Sequence, residues 1–328
     1  MSMIVCYMRG MRIRTDREDV AIEDLQIGDA VVTASGRKRP VEWIGHRSLD
    51  CSRHPDPKSA WPICVSAGAF GENKPARDLW LSPGHGIWAE GVLITISVLQ
   101  NGKTIVQRER PSVEYWHVQL DEHDVILAEG LPAESYGGWG KSFFANGGKV
   151  IEAHPDLSLE RSVNSWLPRV EEGPEVTRTK ALLLARVKAL GHVTTPEAGL
   201  HVIADRKRIE PVELGAMRYA FKVPAGSADI RLMSRSFVPA HIAAESMDAR
   251  LLGVAVKRLR IDGADIALDD AAFFGVGWHE LERSAASQHR WTDGTTPLPA
   301  GTRRLVVDLC GTGRYWEEPT GSAAAQFA

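Results

Sequence analysis

The sequence has few cysteines, almost no net charge and no long apolar run. Four cysteines in 328 residues, with no C-x-x-C pair, indicate neither a disulfide framework nor a zinc site. A formal net charge of −3 gives no electrostatic reason to expect nucleic acid or a membrane surface as a partner. No stretch approaches the roughly 18 consecutive apolar residues of a spanning helix, and the first residues do not form an export signal. We therefore expect no nucleic-acid partner, no membrane span and a location that is cytoplasmic or exported without a visible amino-terminal signal.

What is present is the composition of an ordinary globular protein, 44% hydrophobic and 25% charged, long enough for two domains. From Arg12 to about Leu131, short β-type runs alternate with turn residues, as in "MRIRT", "PVEWIG" and "EYWHVQL". Around "ESYGGWGKSFFANGGKVIEAHPDLS" the pattern gives way to glycine, serine and proline, which is typical of a domain boundary. This part of the chain is predicted to be all-β.

The rest of the chain begins with one amphipathic helix, "TRTKALLLARVKALGH", in which Leu183, Val187 and Leu190 recur on one face and Gly191 can end the helix. Hairpin patterns follow, one of them turning at Asp262-Gly263. Regular strand spacing predicts a β-sandwich. The predicted fold is thus mainly β, with a domain at 1–145, a linker at 146–175, a β-sandwich-like domain at 176–318 that includes the helix, and a disordered tail at 319–328.

Cys6 stands out because a cysteine can attack the carbonyl of the residue before it and convert that amide into a thioester. The reaction needs a proton donor for the leaving nitrogen, donors for the oxyanion and an activated thiol. "LWLSPGHG" places Ser82 and His85 in one turn, and an imidazole with a pKa near ~6.5 is a suitable proton donor. His117 lies within a predicted strand, and His123 lies at the turn that follows.

These motifs occur in the order C-x-x-x-G-x-R-I-x-T, V-x-I-E-D-L-x-I-G-D-x-V-V-T, L-S-P-x-H and Y-W-H-V-x-L-x-x-H-x-V-x-L-A-E-G-L-P-A-E-S-Y. Together they resemble the Hint (Hedgehog/intein) superfamily over residues 4 to 140, most closely the group found in alphaproteobacteria. The resemblance implies a horseshoe-shaped β domain in which Cys6 is the nucleophile and Ser82 and His85 match the T-x-x-H block. It also implies that His117 lies near the position where inteins often carry a catalytic aspartate, and that His123 corresponds to the histidine after that strand.

The sequence departs from inteins at the end of the motif region, because "AEGLPAESY" has no histidine-asparagine pair for asparagine cyclisation. Full splicing is therefore not expected. The remaining chemistry is thioester formation at Val5-Cys6, with His85 protonating the leaving nitrogen and Ser82 with backbone amides steadying the oxyanion, followed by hydrolysis or acyl transfer. This would make the chain a single-turnover cysteine-dependent autoprotease acting on its own amino-terminal segment. Only Met1 to Val5 precede Cys6. Three interpretations stay open: the native start lies further upstream, the reaction exposes Cys6 as a new amino terminus, or the domain is inactive.

Other interpretations also stay open. Cys6 alone could be a core residue, and His117 and His123 could be structural. A metal site built from His85, His117 and His123 has no supporting ligand spacing, and no cofactor is expected.

The second part weakly resembles a carboxy-terminal module of bacterial Hint proteins. Its Trp278, Arg290, Trp291 and Trp316 could form a sugar-stacking platform, although such tryptophans are more often core residues. The alternative function is a catalytically silent Hint scaffold whose carboxy-terminal module binds a glycan or a protein.

Overall fold

The computed structural model describes residues 5–137, 167–283 and 287–317. They are mainly β and form two compact units. The first contains the described residues up to Gly191 together with Ala243–Glu245, and the second contains the others from His192 onward. No helix in the described ranges is long and apolar enough to cross a membrane.

The first unit has fourteen strands and two helices among its described residues. The strands are β1 (Tyr7–Met8), β2 (Arg12–Arg14), β3 (Asp19–Ala21), β4 (Ala30–Val32), β5 (Lys38–Asp50), β6 (Ile63–Val65), β7 (Leu79–Leu81), β8 (Gly86–Ala89), β9 (Val92–Thr95), β10 (Ile105–Gln107), β11 (Ser112–Leu120), β12 (Val125–Ala128), β13 (Leu131–Glu134) and β14 (Arg169–Val170). The helices are α1 (Pro57–Ala60) and α2 (Pro174–Ala189), and short 3-10 helices cover Ile22–Asp24, Cys51–Arg53 and Ile96–Leu99.

These strands form two sheets that share one core. One sheet has the order β10-β6-β7-β1-β11-β5-β4 and the other the order β14-β9-β8-β13-β12-β2-β3. Isolated bridges join Thr15 to Val31 and Thr33 to Ile126, which ties the two sheets together. Fully buried Tyr7, Ile13 and Ile87 belong to the common core. The short strand β1 lies between β7 and β11, so residues next to it are covered on both sides.

Most strands of the first unit lie where the alternating pattern predicts them. In β11, Val113, Tyr115 and His117 are buried and the intervening residues are more exposed, as expected for a strand with one face on the core. The pattern did not predict β1, β3 or the hairpin of β12 and β13, which are two to four residues long. Such short strands depend on pairing with distant partners more than on local sequence.

The amphipathic helix is present, but it lies in the first unit and not in the carboxy-terminal domain predicted to begin at 176. Its buried Val176 and Leu183 join the core of the first unit. The preceding strand β14 pairs in parallel with β9, which fixes the helix to that sheet. Gly191 has a φ of 89° and follows the helix end, as predicted for a glycine stop. Of the predicted linker, 146–166 lies outside the described residues, and so does the predicted disordered tail at 319–328.

The described residues of the second unit form one helix, α3 (Pro239–Ile242), and strands β15 (Thr194–Thr195), β16 (His201–Ala204), β17 (Lys207–Ile209), β18 (Val212–Gly215), β19 (Arg218–Lys222), β20 (Ile230–Met233), β21 (Val254–Ile261), β22 (Ala264–Ile266), β23 (Glu282–Arg283), β24 (Gln288–Trp291), β25 (Thr295–Leu298), β26 (Arg304–Thr312) and β27 (Tyr315–Trp316). A four-stranded sheet and a seven-stranded sheet supply its core together, for example Val202 and Leu232 from one and Leu259 and Val307 from the other. This agrees with the predicted sandwich-like arrangement.

The hairpin predicted at Asp262-Gly263 joins β21 and β22. Both turn residues have positive φ, 49° and 92°, which is the backbone that this pair of residues favours in a two-residue hairpin. The Asp262 carboxylate accepts hydrogen bonds from the backbone amides of Arg303 and Arg304, so the turn is also held to β26.

Candidate functional site

Cys6 lies immediately before β1 and is completely buried. The antiparallel register pairs Tyr7 with Trp116, which brings Cys6 opposite His117 on the neighbouring strand β11. The Cys6 Sγ atom lies 3.3 Å from His117 Nε2. A hydrogen bond to the Val5 backbone also acts on His117. This imidazole therefore lies beside both the thiol and the Val5-Cys6 peptide.

The turn that carries Ser82 and His85 contacts the backbone of the same cysteine. The Cys6 amide donates to Ser82 Oγ at 3.0 Å, and the Ser82 amide donates to the Cys6 carbonyl oxygen at 3.0 Å. His85 Nδ1 also lies 3.0 Å from that carbonyl oxygen, and the His85 amide donates to the Ser82 carbonyl at 3.1 Å. The predicted Cys6, Ser82, His85 and His117 are thus brought together. His85 contacts the Cys6 oxygen, however, and it is Ser82 that contacts the Cys6 nitrogen.

Burial determines the protonation of this cluster. Desolvation raises the pKa of the Cys6 thiol well above its ordinary value, although the positive charge of Arg47 and a hydrogen bond with Ser82 oppose the rise. Desolvation also lowers the pKa of His85 to about 4 and that of His117 to about 3. At neutral pH the site therefore contains a neutral thiol beside a neutral imidazole, and the imidazole can accept a proton.

Aromatic rings hold the two imidazoles in place. The Tyr7 ring packs edge-on against His85 with 4.4 Å between centroids, and its hydroxyl donates to the Glu134 carbonyl oxygen at 2.8 Å. Tyr136 packs edge-on against His117 at 5.0 Å. Since buried rings in close contact restrict each other, both histidines are oriented by their surroundings.

His123 lies beside the Glu134 carboxylate. Its Nε2 atom is 3.5 Å from Oε2 of Glu134, a carboxylate with a 1% exposed side chain. Burial alone would raise the pKa of Glu134, but the hydrogen bond from His123 and the positive charge of Arg169 lower it to about 2. Glu134 Oε1 also accepts a hydrogen bond from the Gly86 amide at 2.5 Å. His123 is thus connected to the turn of His85 through Glu134.

The sequence pattern assigned no role to Glu134, Arg169 or Arg47. Glu134 lies in "AEGLPAESY", which lacks the intein pair, and its position in β13 opposite β8 is set by long-range pairing. Arg169 follows a segment without any periodic pattern. Among the described residues, no group of three or more histidines, cysteines and carboxylates could hold a metal ion.

The four residues of the suggested sugar platform contact other residues of the second unit. The Arg290 guanidinium donates to the carbonyl oxygens of Leu268 and His279 at 2.6 and 2.7 Å and lies 4.8 Å from the Phe274 ring centroid. Trp278 packs on the same phenylalanine ring at 4.8 Å. Trp291 instead packs edge-on against Phe237, with 5.8 Å between ring centroids. Trp316, which lies near the end of the described residues, pairs with Thr194 of β15. These contacts place Arg290 and Trp278 around Phe274, whereas Trp291 and Trp316 have other neighbours.

Comparison with known proteins gives one family match. Residues 5–138 match the model described as Hint domain. No curated protein matches the sequence. Similar solved structures include the MchDnaB-1 intein (14% identity, TM-score 0.30), a bacterial intein-like domain from Clostridium thermocellum (13%, 0.32) and the gp41-1 intein (14%, 0.29). Each comparison covers 40% of this chain and 98 or 99% of the other.

At these identities and scores, the assignment depends on the family match. The matched range contains Cys6, Ser82, His85 and His117, whose side chains or backbone meet at one buried position. The match therefore supports a Hint-domain protein whose Hint domain spans residues 5–138.

Proposed function

We propose that this protein processes itself at the Val5-Cys6 peptide, by an N-to-S acyl shift that forms a thioester. The family match supports self-processing in general. One observation supports the specific step: Cys6 Sγ lies 3.3 Å from His117 Nε2 while the amide of the same cysteine is held by Ser82 Oγ at 3.0 Å. The nucleophile, a proton acceptor and a contact to the leaving nitrogen thus surround a single peptide bond.

In the proposed step, the Cys6 thiol proton moves to His117 Nε2 as the sulfur bonds to the Val5 carbonyl carbon. The tetrahedral intermediate then collapses, the carbon–nitrogen bond breaks and the Cys6 nitrogen takes the proton back from His117. The products are a thioester and a free amine, and no proton is gained or lost overall. The depressed pKa of His117 keeps the imidazole neutral at neutral pH, and it must be neutral before it accepts the proton.

Ser82 and His85 take roles that differ from those the sequence suggested. Because Ser82 Oγ contacts the Cys6 nitrogen, we assign it to the leaving amide and not to the oxyanion. Because His85 Nδ1 contacts the Cys6 oxygen, we assign it to orienting the peptide that follows the cysteine. Hydrolysis or transfer to an acceptor would then resolve the thioester, without splicing.

The test uses the full chain with a soluble fusion partner placed before Met1. Intact mass is measured with and without added thiol for the parent protein, Cys6→Ala and His117→Gln. We expect a thiol-dependent cut before Cys6, complete loss in Cys6→Ala, and a rate lower by roughly 100- to 10,000-fold in His117→Gln, since general acid–base catalysis contributes about that much.

Cys64→Ala is the matched control, because Cys64 is also a buried cysteine of the first unit but lies in β6. It should cut at the parent rate. A single uncut mass in the parent under every condition would contradict the proposal and would favour the silent scaffold with a binding module. A cut that persists in Cys6→Ala would show that another group is the nucleophile.

A further inference from the structure

Arg169 is a largely buried arginine that lies outside the matched Hint domain yet reaches its site. It belongs to β14, which pairs in parallel with β9 at Leu93 and is followed by helix α2. Its side chain is only 13% exposed. Since burying an arginine costs free energy unless its donors are satisfied, the partners of this guanidinium are informative.

Those partners lie on both sides of the histidine turn. Arg169 Nη1 donates to the Gly84 carbonyl oxygen at 3.0 Å, within the turn that carries Ser82 and His85, and to Thr95 Oγ1 at 3.3 Å. Arg169 Nη2 forms an ion pair with Glu134 Oε1. The same carboxylate oxygen accepts from the amide of Gly86, the residue after His85. One planar guanidinium therefore connects the residue before His85 to the carboxylate that binds the residue after it.

The packing at Gly86 shows how closely these groups approach. A Cβ atom built on Gly86 would lie 2.7 Å from Glu134 Oε1 and 3.1 Å from Arg169 Nη2. The absent side chain is therefore what lets the ion pair lie directly against the backbone of the histidine turn.

We propose that Arg169 is a positioning residue of the self-processing site, supplied from outside the Hint domain, which clamps the Ser82–His85 turn to Glu134 and so holds His85 against the Cys6 carbonyl. This inference rests on the proposed function. It extends the functional unit from the matched residues to β14 and α2, whose Val176 and Leu183 join the same core.

Arg169 also acts on His85 through charge. Its positive charge lowers the pKa of His85, and the negative charge of Glu134 raises it. The charged and titratable groups that face His85 or this ion pair are Glu134 from β13, Arg169 from β14, His117 from β11, Tyr7 from β1, Cys6 before β1, His123 before β12 and Glu171, which accepts from Thr95. Removing Arg169 takes away the positive charge that opposes the Glu134 carboxylate, so the pKa of His85 should rise.

The experiment compares Arg169→Met and Arg169→Lys, with Arg178→Met as control. Arg178 lies on α2 and is about half exposed, paired with Glu90 and Glu175 at the surface. Two quantities are measured in full-length protein. One is the rate of thiol-dependent cleavage of the fusion, and the other is the NMR titration of the His85 imidazole, recorded in a Cys6→Ala background so that every sample stays intact.

We expect Arg169→Met to slow cleavage on the order of 10- to 100-fold, as a small misplacement of a reacting group does. It should also raise the His85 titration midpoint by at least about one pH unit. Arg169→Lys keeps the positive charge but loses the planar guanidinium that donates to two partners at once. Its cleavage rate should therefore fall, while the His85 titration midpoint should move less than in Arg169→Met. Arg178→Met should change neither quantity.

An unchanged His85 titration in folded Arg169→Met would overturn the inference, and so would wild-type cleavage in both Arg169 variants. If Arg169→Met does not fold, the test rests on Arg169→Lys, and parent values for both its cleavage rate and its His85 titration midpoint would overturn the inference. If the parent protein does not cleave at all, the proposed function fails but the titration still tests whether Arg169 acts on His85.

Discussion

The two units differ in the kinds of polar group that they bury. The first unit buries a cysteine, two histidines and a carboxylate around β1, namely Cys6, His85, His117 and Glu134. Among the described residues of the second unit, the buried polar groups are hydroxyls, including that of Tyr315, and one charged side chain, Arg290, which is satisfied by two carbonyl oxygens. Buried ionisable groups cost free energy, so a cluster of them with shifted pKa values marks a candidate functional site. The chemistry is therefore to be sought in the first unit.

Not every buried charge of the first unit belongs to that site. Arg39 forms ion pairs with Asp121, Glu122 and Asp124 and so holds β5 to the turn between β11 and β12. Glu134 differs from these carboxylates because it binds the amide of Gly86, next to His85. Contact with the histidine turn, and not burial alone, separates the site from the structural ion pairs.

The largest expected effect comes from removing the buried carboxylate. Glu134→Leu leaves Arg169 buried without its ion-pair partner, and breaking a buried pair in this way costs about 3–5 kcal/mol. The free energy of unfolding of the first unit should fall by that amount. Denaturant-dependent amide exchange of β13, compared with β21 in the second unit, measures it.

Asp265→Asn is the control in the second unit, since Asp265 pairs with Arg258 and Arg260 but is 51% exposed. Solvent-exposed pairs contribute little, so the exchange of β21 should hardly change. An equal loss in both variants would contradict the distinction between the two units.

A smaller effect is expected from adding one methyl group. Gly86→Ala forces its Cβ to 2.7 Å from the Glu134 carboxylate and should cost about 1–3 kcal/mol, as overpacking of a filled interior does. Gly275→Ala in the second unit meets nothing within 4 Å and should stay within about 0.5 kcal/mol of the parent. Thermal unfolding of the two variants makes the comparison, and an unaffected Gly86→Ala would mean that the ion pair can move away from the turn.

Much of this arrangement could be predicted from the sequence, because strands with one buried face alternate and hairpin turns use glycine. The order of the motifs also predicted that Cys6, Ser82, His85 and His117 belong together. Glu134 and Arg169 could not be assigned, since each acquires its partner through strand pairing across the sheet. The helix was predicted from the spacing of its apolar residues. Leu183 and Val187 define an apolar face, but the sequence does not indicate which of the two cores that face packs against. Lys180 on the same helix is also buried, although a lysine normally marks the exposed face of a helix.

The pH dependence of stability tests the site electrostatics most directly. His85 and His117 have folded pKa values of about 4 and about 3 against an ordinary 6.5, so the unfolded chain binds their protons more tightly. Stability of the first unit should therefore be full above pH 6.5 and fall as the pH drops towards 4, by on the order of 1 kcal/mol per pH unit for each histidine.

The pKa of Glu134, lowered from 4.5 to about 2, adds a loss of stability only below pH 4.5. The window from 6.5 to 4.5 thus tests the histidines separately from Glu134, and the variant His85→Gln/His117→Gln should have a flatter dependence there, measured by amide exchange of β13. An unchanged slope in that variant would mean that burial does not lower the pKa of these two imidazoles.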